Sequence, residues 1–511
     1  MTRVLMLAAE NAALPGGKVG GVGDVIAELP LALAELGHQV DVLLPAYGIF
    51  HQHDDAQRRA AVEVSFAGSL QRVELYEIVG QRVGTWVLHH PLFGEPPGQI
   101  YHADGADAPF ATDANLYALF CCAAAELVAA GELGAFDVVH LHDWHAAAYA
   151  LFHRRLPSAG RPRLVLSIHN LSLQGIRPLS GHPSSPGSWF PKLPLPPDAR
   201  DPRYADCFNP LRLAIRGADA VHVVSPSYAR EILLPSATEE AIYGGEGLED
   251  DLRAAADADR LHGILNGCDA QPAAESGRRE LWQRCQTLLL EWISAGEHLR
   301  TVDYLAERNL GELLAGDGGG FLVTSVGRLT TQKVGLLLHP HGAGCVLDAL
   351  LEPLRGRGAM VMLGSGDADS VAQLRAVAAR HRHFVLLEGY SDAVADALYA
   401  SGDLFVMPSL FEPCGLSQMI AMRNGQPCLV HGVGGLRDTV SDGQDGFVFS
   451  GDGLEGKADA LIERFGTALQ LHHDEPAAWG GLCRTASERR FLWRDAAEAY
   501  VERLYLPPDD A

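Results

Sequence analysis

Short apolar runs alternate with amphipathic stretches from the first residues of the chain. Residues 4–9 form an apolar run, and over residues 24–36 apolar side chains recur at helical spacing and stop at Gly37. Residues 40–44 are again apolar apart from Asp41. A strand, a glycine-rich loop, a helix and a second strand in this order predict an α/β domain with a parallel sheet.

The same alternation continues along most of the chain. Further strands are predicted at residues 83–88, 138–141, 164–168 and 220–224, and a second series at 321–327, 360–363, 384–387, 404–407 and 428–430. Apolar positions between 491 and 504 predict a closing amphipathic helix. We therefore predict an N-terminal domain over residues 1–263, a C-terminal domain over 264–487 and a final helix within 488–511. Eight prolines between residues 176 and 206 predict an ordered or semi-mobile loop.

Composition narrows the functional classes. The 511-residue chain carries a net charge of −24, which disfavours nucleic acid and acidic membranes as partners. No uncharged apolar run reaches about 18 residues, so no membrane span is predicted. The nine cysteines are scattered without a Cys-x-x-Cys pair, which is typical of a reducing compartment and gives no zinc knuckle. We predict a cytoplasmic protein.

The loop after the first strand has the sequence KVGGVGD (residues 18–24). Dinucleotide-binding proteins also have a glycine-rich turn here, but the spacing departs from Gly-x-Gly-x-x-Gly. The second strand also runs into Pro45 without the acidic residue that would hold a ribose. The chain has only four lysines, and two of them, Lys18 and Lys333, lie in such turns. A lysine before two glycines suits a diphosphate better than a nicotinamide.

Three histidines occur within six residues in VVHLHDWHA (residues 138–146). Metallo-hydrolases use a His-x-His-x-Asp-His pattern, so a zinc site is an alternative here. The aspartate, however, stands one position early, and Trp144 takes its place. A side chain shifted by one residue at a strand end points the other way. The pattern therefore disfavours a metal site.

A basic pair follows the first strand of the second series. Arg328 and Lys333 lie five residues apart in VGRLTTQK (residues 326–333), close enough to converge on one diphosphate. Arginine would offer a two-pronged donor and lysine a point charge. Surface charges on a loop are the plain alternative. Further on, Asp367 and Asp369 suggest a metal-binding Asp-x-Asp, but a helix N-cap explains them without a metal.

The most informative stretch is PSLFEPCGLSQMIAM (residues 408–422). It follows an apolar strand and opens a predicted helix whose first turn carries Gly415 and Leu416. A carboxylate here, Glu412, beside backbone N–H groups at a helix start suits the binding of sugar hydroxyls next to a phosphate. Taken alone, the stretch is about equally consistent with a solvated loop carboxylate and a core cysteine.

In this order, these runs resemble those of bacterial glycogen synthases and plant starch synthases. The resemblance rests on KVGGVGD, HDWHA, HNLSLQG, RLTTQK and FEPCGL, within residues 3–449. It implies an α/β fold with two facing Rossmann-like domains of the GT-B type and a C-terminal helix that crosses back to the N-terminal domain. It further implies transfer of glucose from ADP-glucose to the non-reducing end of an α-1,4-glucan such as glycogen, with retention of configuration and without a metal or other cofactor.

The resemblance also assigns roles to individual residues. Glu412, Arg328, Lys333 and His169 are expected to serve catalysis, the two cations on the leaving diphosphate and the carboxylate on the glucose hydroxyls. The expected substrate-binding residues are Lys18, Gly20, Gly21, Asp24, Asp143, Trp144, Asn266, Cys414, Gly415, Leu416, Gly434 and Gly435. The N-terminal domain would hold the acceptor and the C-terminal domain the nucleotide-sugar.

Several alternatives stay open at this point. A related transferase could use another nucleoside-diphosphate sugar or a small acceptor, and a homologue could bind sugar with little catalysis. A glucan phosphorylase shares the architecture, but such enzymes are far longer and carry a cofactor lysine. A Rossmann-type oxidoreductase would bind a nicotinamide.

Overall fold

The computed structural model describes residues 1–105, 108–237, 241–268, 271–273, 277–296, 298–316 and 320–506. The chain divides into two compact units. Unit 1 consists of Met1–Ser236, Gly244–Gly267 and Leu492–Ala511, and unit 2 of Ala237–Tyr243 and Cys268–Phe491. The sequence analysis placed the corresponding boundaries after residues 263 and 487, and residues 507–511 of its final segment lie outside the described residues.

Unit 1 is built on a long sheet. Its strands are β1 (Arg3–Leu7), β2 (Gln39–Pro45), β3 (Ala56–Phe66), β4 (Ser69–Ile78), β5 (Gly84–His89), β6 (Val138–His142), β7 (Arg163–Ile168), β8 (Arg177–Pro178), β9 (Cys207–Phe208), β10 (Ala220–Val223) and β11 (Leu261–Gly263). Nine of them form one sheet in the order β11-β10-β7-β6-β1-β2-β5-β4-β3, and β8 pairs with β9 separately. The hairpin β3–β4 is antiparallel, and the other seven strands run parallel.

Helices cover the apolar faces of this sheet. They are α1 (Gly21–Glu35), α2 (Ala111–Ala130), α3 (Asp143–Ala147), α4 (Ala150–His153), α5 (Pro186–Trp189), α6 (Pro210–Gly217), α7 (Pro226–Glu231) and α8 (Glu249–Asp257). β1, β6, β7 and β10 are apolar almost throughout and buried, as expected for parallel strands with helices on both sides. By length and composition α2 is apolar enough to cross a membrane, but 72% of its most apolar window is buried within the protein, so it serves as a core helix.

Unit 2 has a smaller, wholly parallel main sheet. Its strands are β12 (Phe321–Val326), β13 (Pro340–His341), β14 (Gly344–Cys345), β15 (Gly358–Gly364), β16 (Phe384–Glu388), β17 (Leu404–Met407), β18 (Cys428–His431) and β19 (Gly446–Phe449). Its helices are α9 (Arg278–Ala295), α10 (Thr301–Ala315), α11 (Thr331–Leu338), α12 (Val346–Leu351), α13 (Ala368–Arg380), α14 (Asp392–Ser401), α15 (Ser417–Arg423), α16 (Gly434–Thr439), α17 (Gly453–Asp474) and α18 (Pro476–Glu488). The main sheet has the order β16-β15-β12-β17-β18-β19, and β13–β14 form a hairpin.

Both sheets have the strand order of a doubly wound fold. Numbered along the chain, the strands of unit 2 lie in the order 3-2-1-4-5-6, and the parallel strands of unit 1 follow the same pattern with one more strand at the end. The direction of winding reverses between β1 and β6 in unit 1, and between β12 and β17 in unit 2. In such sheets the crevice at the carboxyl ends of these strands is the usual ligand site.

After unit 2 the chain returns to unit 1 as α19 (Trp493–Tyr500), which continues as a π-helical turn over Val501–Tyr505. The Tyr505 hydroxyl lies 2.9 Å from His140 Nδ1, and the Leu504 carbonyl accepts a hydrogen bond from Arg163 Nε at 2.7 Å. These contacts tie the last helix to β6 and β7, so the chain crosses back as the resemblance implied.

The proline-rich loop is anchored to unit 1 by two buried side chains. Trp189 is 3% exposed, and its indole N–H donates to Asn115 Oδ1 at 2.6 Å. The guanidinium of Arg177, 4% exposed, donates to the Pro109 carbonyl outside the loop and to Ser184 Oγ within it, the latter at 2.6 Å. The loop is therefore ordered around its own small core.

Candidate active site

Every residue that the sequence analysis assigned to the site lies near the carboxyl end of a parallel strand. Lys18, Gly20, Gly21 and Asp24 follow β1; Asp143 and Trp144 follow β6; His169 follows β7; Asn266 follows β11; Arg328 and Lys333 follow β12; Glu412, Cys414, Gly415 and Leu416 follow β17; Gly434 and Gly435 follow β18. In unit 2 these residues follow the two strands at the reversal point and the next strand, whereas in unit 1 they also follow β7 and the edge strand β11.

Lys333 and Glu412 meet at the reversal point of unit 2. Their side chains form an ion pair, and the Ser409 hydroxyl donates a further hydrogen bond to Glu412 Oε2 at 3.1 Å. Glu412 is buried, 6% exposed, whereas 18% of the Lys333 side chain reaches the surface. The buried carboxylate is tolerated because a cation and a hydroxyl both face it. The fold therefore joins two of the predicted catalytic residues across 79 positions of sequence.

Hydrogen bonds fix the two loops that carry this pair. The Leu410 N–H donates to the Gln332 carbonyl at 2.9 Å, and the Gln332 side-chain amide donates to the Phe411 carbonyl at 3.0 Å. From the next strand, His431 Nδ1 donates to the Ser409 carbonyl at 2.9 Å. The start of α11 and the loop after β17 are thus held together on both sides.

The helix after this loop begins later than the sequence predicts. Gly415 has a φ of 78°, and α15 begins at Ser417 with Leu416 as its N-cap. The Gln418 amide donates to the carbonyls of Cys414 at 3.2 Å and Gly415 at 3.0 Å. A left-handed glycine interrupts the helical path here, so Gly415 and Leu416 belong to a turn and not to the first helical turn.

The loop after β18 supports the Glu412 segment by close backbone contact. The Gly435 N–H donates to the Glu412 carbonyl at 3.0 Å. A Cβ on Gly434 would lie 1.9 Å from that carbonyl oxygen, and one on Gly435 would lie 2.2 Å from the Cys414 carbonyl oxygen. The resemblance implied that Gly434 and Gly435 bind substrate. In the structure the Gly435 N–H is engaged by a carbonyl of the chain itself.

We expect the Gly434→Ala variant to lose stability and activity together. Gly434 has a φ of 43°, and the added methyl would overlap the Glu412 carbonyl, so about 1–3 kcal/mol of unfolding free energy should be lost. Displacement of Glu412 should lower the transferase activity that the resemblance implies roughly tenfold or more. Urea unfolding and turnover measure the two effects. The control is Gly443→Ala, with a φ of 70° and nothing within 4 Å of its Cβ; equal activity losses in both variants would contradict a role for the contact.

Arg328 is exposed on the turn after β12, which backbone hydrogen bonds hold in place. The neighbouring Leu329 N–H donates to the Ser365 carbonyl at 2.8 Å, and the Asp367 N–H donates to the Leu329 carbonyl at 3.1 Å. Asp367 also caps α13, because its carboxylate accepts the Ser370 N–H at 2.8 Å. The N-cap prediction for Asp367 is confirmed, and the guanidinium of Arg328 stands on a fixed backbone.

In unit 1 a buried carboxylate that the sequence analysis missed holds the glycine-rich loop. Glu10 Oε2 accepts the N–H groups of Val19 at 2.7 Å and Gly20 at 2.6 Å, and the Tyr101 hydroxyl donates to Oε1 at 2.6 Å. The Gly20 N–H, which the prediction offered to a nucleotide-sugar, is therefore bound to Glu10. An acidic residue directly after the first strand was the available signal.

Lys18 and Asp24 form an ion pair across the same loop, with Nζ and Oδ1 2.7 Å apart. The two side chains are 44% and 32% exposed, and Gly21 between them is the first residue of α1. Exposed pairs of this kind contribute little to stability. A phosphate group can thus compete for the Lys18 ammonium at small cost.

Asp143 joins the loops after β6 and β7. Its Oδ1 accepts the N–H groups of His169 at 2.7 Å and Asn170 at 3.4 Å. Burial raises the pKa of Asp143 to about 7, although these two donors act in the opposite direction. The Trp144 indole covers Gly175, where a Cβ would come within 2.2 Å of the ring. The HDWHA and HNLSLQG runs therefore form one structural element.

Asn266, in the segment after β11, is 6% exposed, and its Oδ1 finds no hydrogen-bond partner among the described residues. A buried amide oxygen left unpaired costs about 1–3 kcal/mol. A hydroxyl of a bound ligand would satisfy this oxygen.

His140 and His222 are buried and hydrogen-bonded within unit 1. His140 Nε2 lies 2.7 Å from Ser167 Oγ, which in turn lies 2.8 Å from His222 Nδ1. Over the described ranges no group of three or more His, Cys, Asp and Glu side chains could hold a metal ion. The HLHDWH pattern thus supplies a buried polar network that joins strands β6, β7 and β10.

We expect stability to fall steeply below about pH 6.5. Burial lowers the pKa of His145 and His222 to about 3, and of His153 and His169 to about 4. The unfolded chain therefore binds more protons than the folded one between about pH 4 and 6.5, and stability is lost as pH falls through this window. Because the pKa of Asp143 is raised, its protonation stabilises the folded protein as pH falls and offsets part of this loss.

From pH 7.5 to pH 5.5 the free energy of unfolding should fall by roughly 3 kcal/mol from these groups together. Urea unfolding at the two pH values measures it. Asp143→Asn removes the opposing contribution and should make the fall steeper. Equal or greater stability of the parent protein at pH 5.5 would contradict neutral, buried histidines.

Comparisons with known proteins identify the family. Residues 3–254 match the family model of the starch synthase catalytic domain, and residues 323–465 match that of glycosyl transferases group 1. Glycogen synthase from Paracidovorax citrulli is 32% identical, covering 97% of this chain and 94% of the relative. Glycogen synthase from Halorhodospira halophila is 34% identical, covering 98% of both. The chain belongs to the glycogen and starch synthase family.

The fold of the chain was also compared with solved structures. The catalytic domain of starch synthase IV from Arabidopsis thaliana, bound to ADP and acarbose, matches with a TM-score of 0.75 and 28% identity, covering 99% of this chain and 98% of that one. Sucrose-phosphate synthase from Thermosynechococcus elongatus, at 15% identity and a TM-score of 0.56, shares the fold alone. The predicted GT-B fold and the glucosyltransferase class of the glycogen and starch synthases are confirmed.

Proposed function

We propose that this protein transfers glucose from ADP-glucose to the 4-hydroxyl at the non-reducing end of an α-1,4-glucan, with retention of configuration. The observation that carries the proposal is the Lys333–Glu412 pair at the reversal point of the unit 2 sheet. It sets a cation for a diphosphate beside a carboxylate for sugar hydroxyls. Support comes from the starch synthase IV structure, which contains ADP and acarbose.

The chemical demand on the site is charge separation. As the bond between C1 and the diphosphate breaks, positive charge grows on the sugar and negative charge on the leaving group. Lys333 and Arg328 would stabilise the departing diphosphate, and Lys18 from the glycine-rich loop of unit 1 would add to them. Cations that are already in place stabilise a developing charge without reorganisation, which is often the largest contribution to catalysis.

The remaining predicted residues would hold and orient the substrates. Glu412 would bind glucose hydroxyls, and His169 and Asn266 would orient the ring. Asp143 and Trp144 would shape the acceptor side. The backbone around Cys414, Gly415, Leu416, Gly434 and Gly435, together with Gly20, Gly21 and Asp24, would allow close approach of the nucleotide-sugar. In this scheme unit 1 serves the acceptor and unit 2 the donor.

We further propose a cytoplasmic location. The nine cysteines, all within the described residues, form no disulfide, and six of them are buried, which suits a reducing compartment. An α-1,4-glucan and a nucleotide-sugar as substrates fit the same compartment.

The proposal is tested by incubating the protein with a short maltooligosaccharide and, separately, ADP-, UDP- or GDP-glucose. We expect stoichiometric release of ADP and primers lengthened by single glucose units, with ADP-glucose turned over fastest. Faster turnover of another donor, or extension of small acceptors only, would indicate a related transferase of different specificity. Binding of ADP-glucose without ADP release would indicate a sugar-binding homologue.

A further inference from the structure

His142 and His169 face each other at the carboxyl ends of the neighbouring strands β6 and β7. His142 Nδ1 lies 3.0 Å from His169 Nε2, and the rings stack with their centroids 5.3 Å apart. His142 is 1% exposed, whereas His169 is only half-buried. His169 has a predicted role at the sugar, but His142 was given none by the sequence analysis.

The surroundings of His142 decide which nitrogen carries its proton. Burial lowers the pKa of both rings, that of His169 to about 4, so each ring is neutral at pH 7 and has one N–H. His142 Nε2 is buried and has no hydrogen-bond partner in the described part of the chain. If the His142 proton were on Nε2, this buried N–H would have no acceptor. The hydrogen bond between the rings would then need a proton on His169 Nε2. A proton on Nδ1 is donated directly to His169.

The tautomer of His169 follows from this bond. If His142 Nδ1–H donates, His169 Nε2 must accept, and the single proton of the neutral His169 ring lies on Nδ1. The backbone of His169 is fixed as well, since its N–H donates to Asp143 Oδ1 at 2.7 Å. Both the ring plane and the protonated nitrogen are therefore set from within unit 1.

We propose that His142 is a positioning residue that holds His169 with its proton on Nδ1, so that this nitrogen donates a hydrogen bond to a hydroxyl oxygen of the transferred hexose. The identity of the hexose rests on the proposed function, whereas the tautomer rests on the histidine pair alone. If His169 Nδ1 carried no proton, it could only accept a hydrogen bond, and the sugar hydroxyl would have to donate. The pair thus selects the direction of the hydrogen bond at the sugar.

The first test is nitrogen NMR of the full chain labelled with 15N-histidine at pH 7.5. Comparison with the His169→Gln variant identifies the His169 signals by difference. We expect a protonated Nδ1 and an unprotonated Nε2 in the parent protein. In His142→Phe, which keeps an aromatic ring but no donor, the form protonated at Nε2 should become populated. A parent protein with the His169 proton on Nε2 would overturn the proposal.

The second test is kinetic. His142→Phe should lower kcat for transfer roughly 3- to 10-fold, with a smaller change in KM for the donor. His142→Asn should keep most of the activity, because its side-chain amide can donate from nearly the same position. Once His169→Phe is present, adding His142→Phe should have no further effect. Equal effects of His142→Phe with and without the His169 ring would contradict a role through His169.

His153→Phe is the matched control. His153 is also a buried histidine of unit 1, 4% exposed and with its pKa lowered by burial to about 4, but its ring packs against Tyr149. Its replacement should leave kcat and the His169 spectrum unchanged. If the parent protein transfers no glucose, the proposed function fails, while the NMR measurement still decides the tautomer.

Discussion

Lys333→Ala is expected to lower kcat for glucose transfer by about 10²–10³-fold while the protein stays folded. Lys333 is a largely buried cation next to Glu412, in the first turn of α11. Its charge would be needed most when the diphosphate leaves. Removal should therefore depress kcat more than donor binding. Steady-state kinetics with ADP-glucose and a maltooligosaccharide measure both constants.

Two controls separate catalysis from folding in this experiment. Lys192→Ala removes an exposed lysine of the proline-rich loop and should have no effect. Lys333→Ala leaves the Glu412 carboxylate buried without its cation, which destabilises the protein by itself. The double variant Lys333→Met with Glu412→Gln removes both charges and should restore stability without restoring activity. Near-normal turnover in any folded variant without Lys333 would remove the leaving-group role.

Glu412→Gln is expected to lower kcat/KM for the donor by about 10- to 100-fold. The amide keeps the shape of the side chain and can accept the Ser409 hydroxyl, which lies 3.1 Å from Oε2. It loses the charge that strengthens hydrogen bonds from sugar hydroxyls. Glu412→Asp, which keeps the charge but shortens the reach, should retain intermediate activity.

A further variant of Glu412 shows whether this residue binds the sugar or attacks it as a nucleophile. A carboxylate that attacked C1 would form a covalent glucosyl-enzyme, and azide would rescue its alanine variant by taking its place. We expect no rescue of Glu412→Ala by azide and no glucosyl azide. Formation of that product would show that Glu412 reacts with the sugar instead of holding it.

Much of the fold can be predicted from local patterns. The buried parallel strands are nearly continuous apolar runs, so the predicted strand over residues 404–407 coincides with β17 and that over 138–141 differs from β6 by one residue. The hairpin β3–β4 was not predicted, because its two half-exposed strands carry charges on both faces. The order of the strands in each sheet depends on pairing between distant segments, and the periodicity of apolar residues does not predict this pairing.

The site was predictable as a set of residue types and not as a set of contacts. Glycine-rich turns and rare lysines marked Lys18 and Lys333, but the partner of Lys333 lies 79 residues away. Glu10 was missed because its role, holding the Val19 and Gly20 N–H groups, appears only when the loop folds back onto β1. His142 was missed because its neighbour His169 belongs to another strand.

The central proposal is that a diphosphate departs beside Lys333 and Arg328 while Glu412 steadies the sugar. A crystal structure of the protein with bound ADP and glucose tests it most directly. We expect Lys333 Nζ and the Arg328 guanidinium within hydrogen-bond distance of the distal phosphate, and the Glu412 carboxylate within hydrogen-bond distance of glucose hydroxyls. A diphosphate bound elsewhere, with these side chains unchanged and facing solvent, would contradict it.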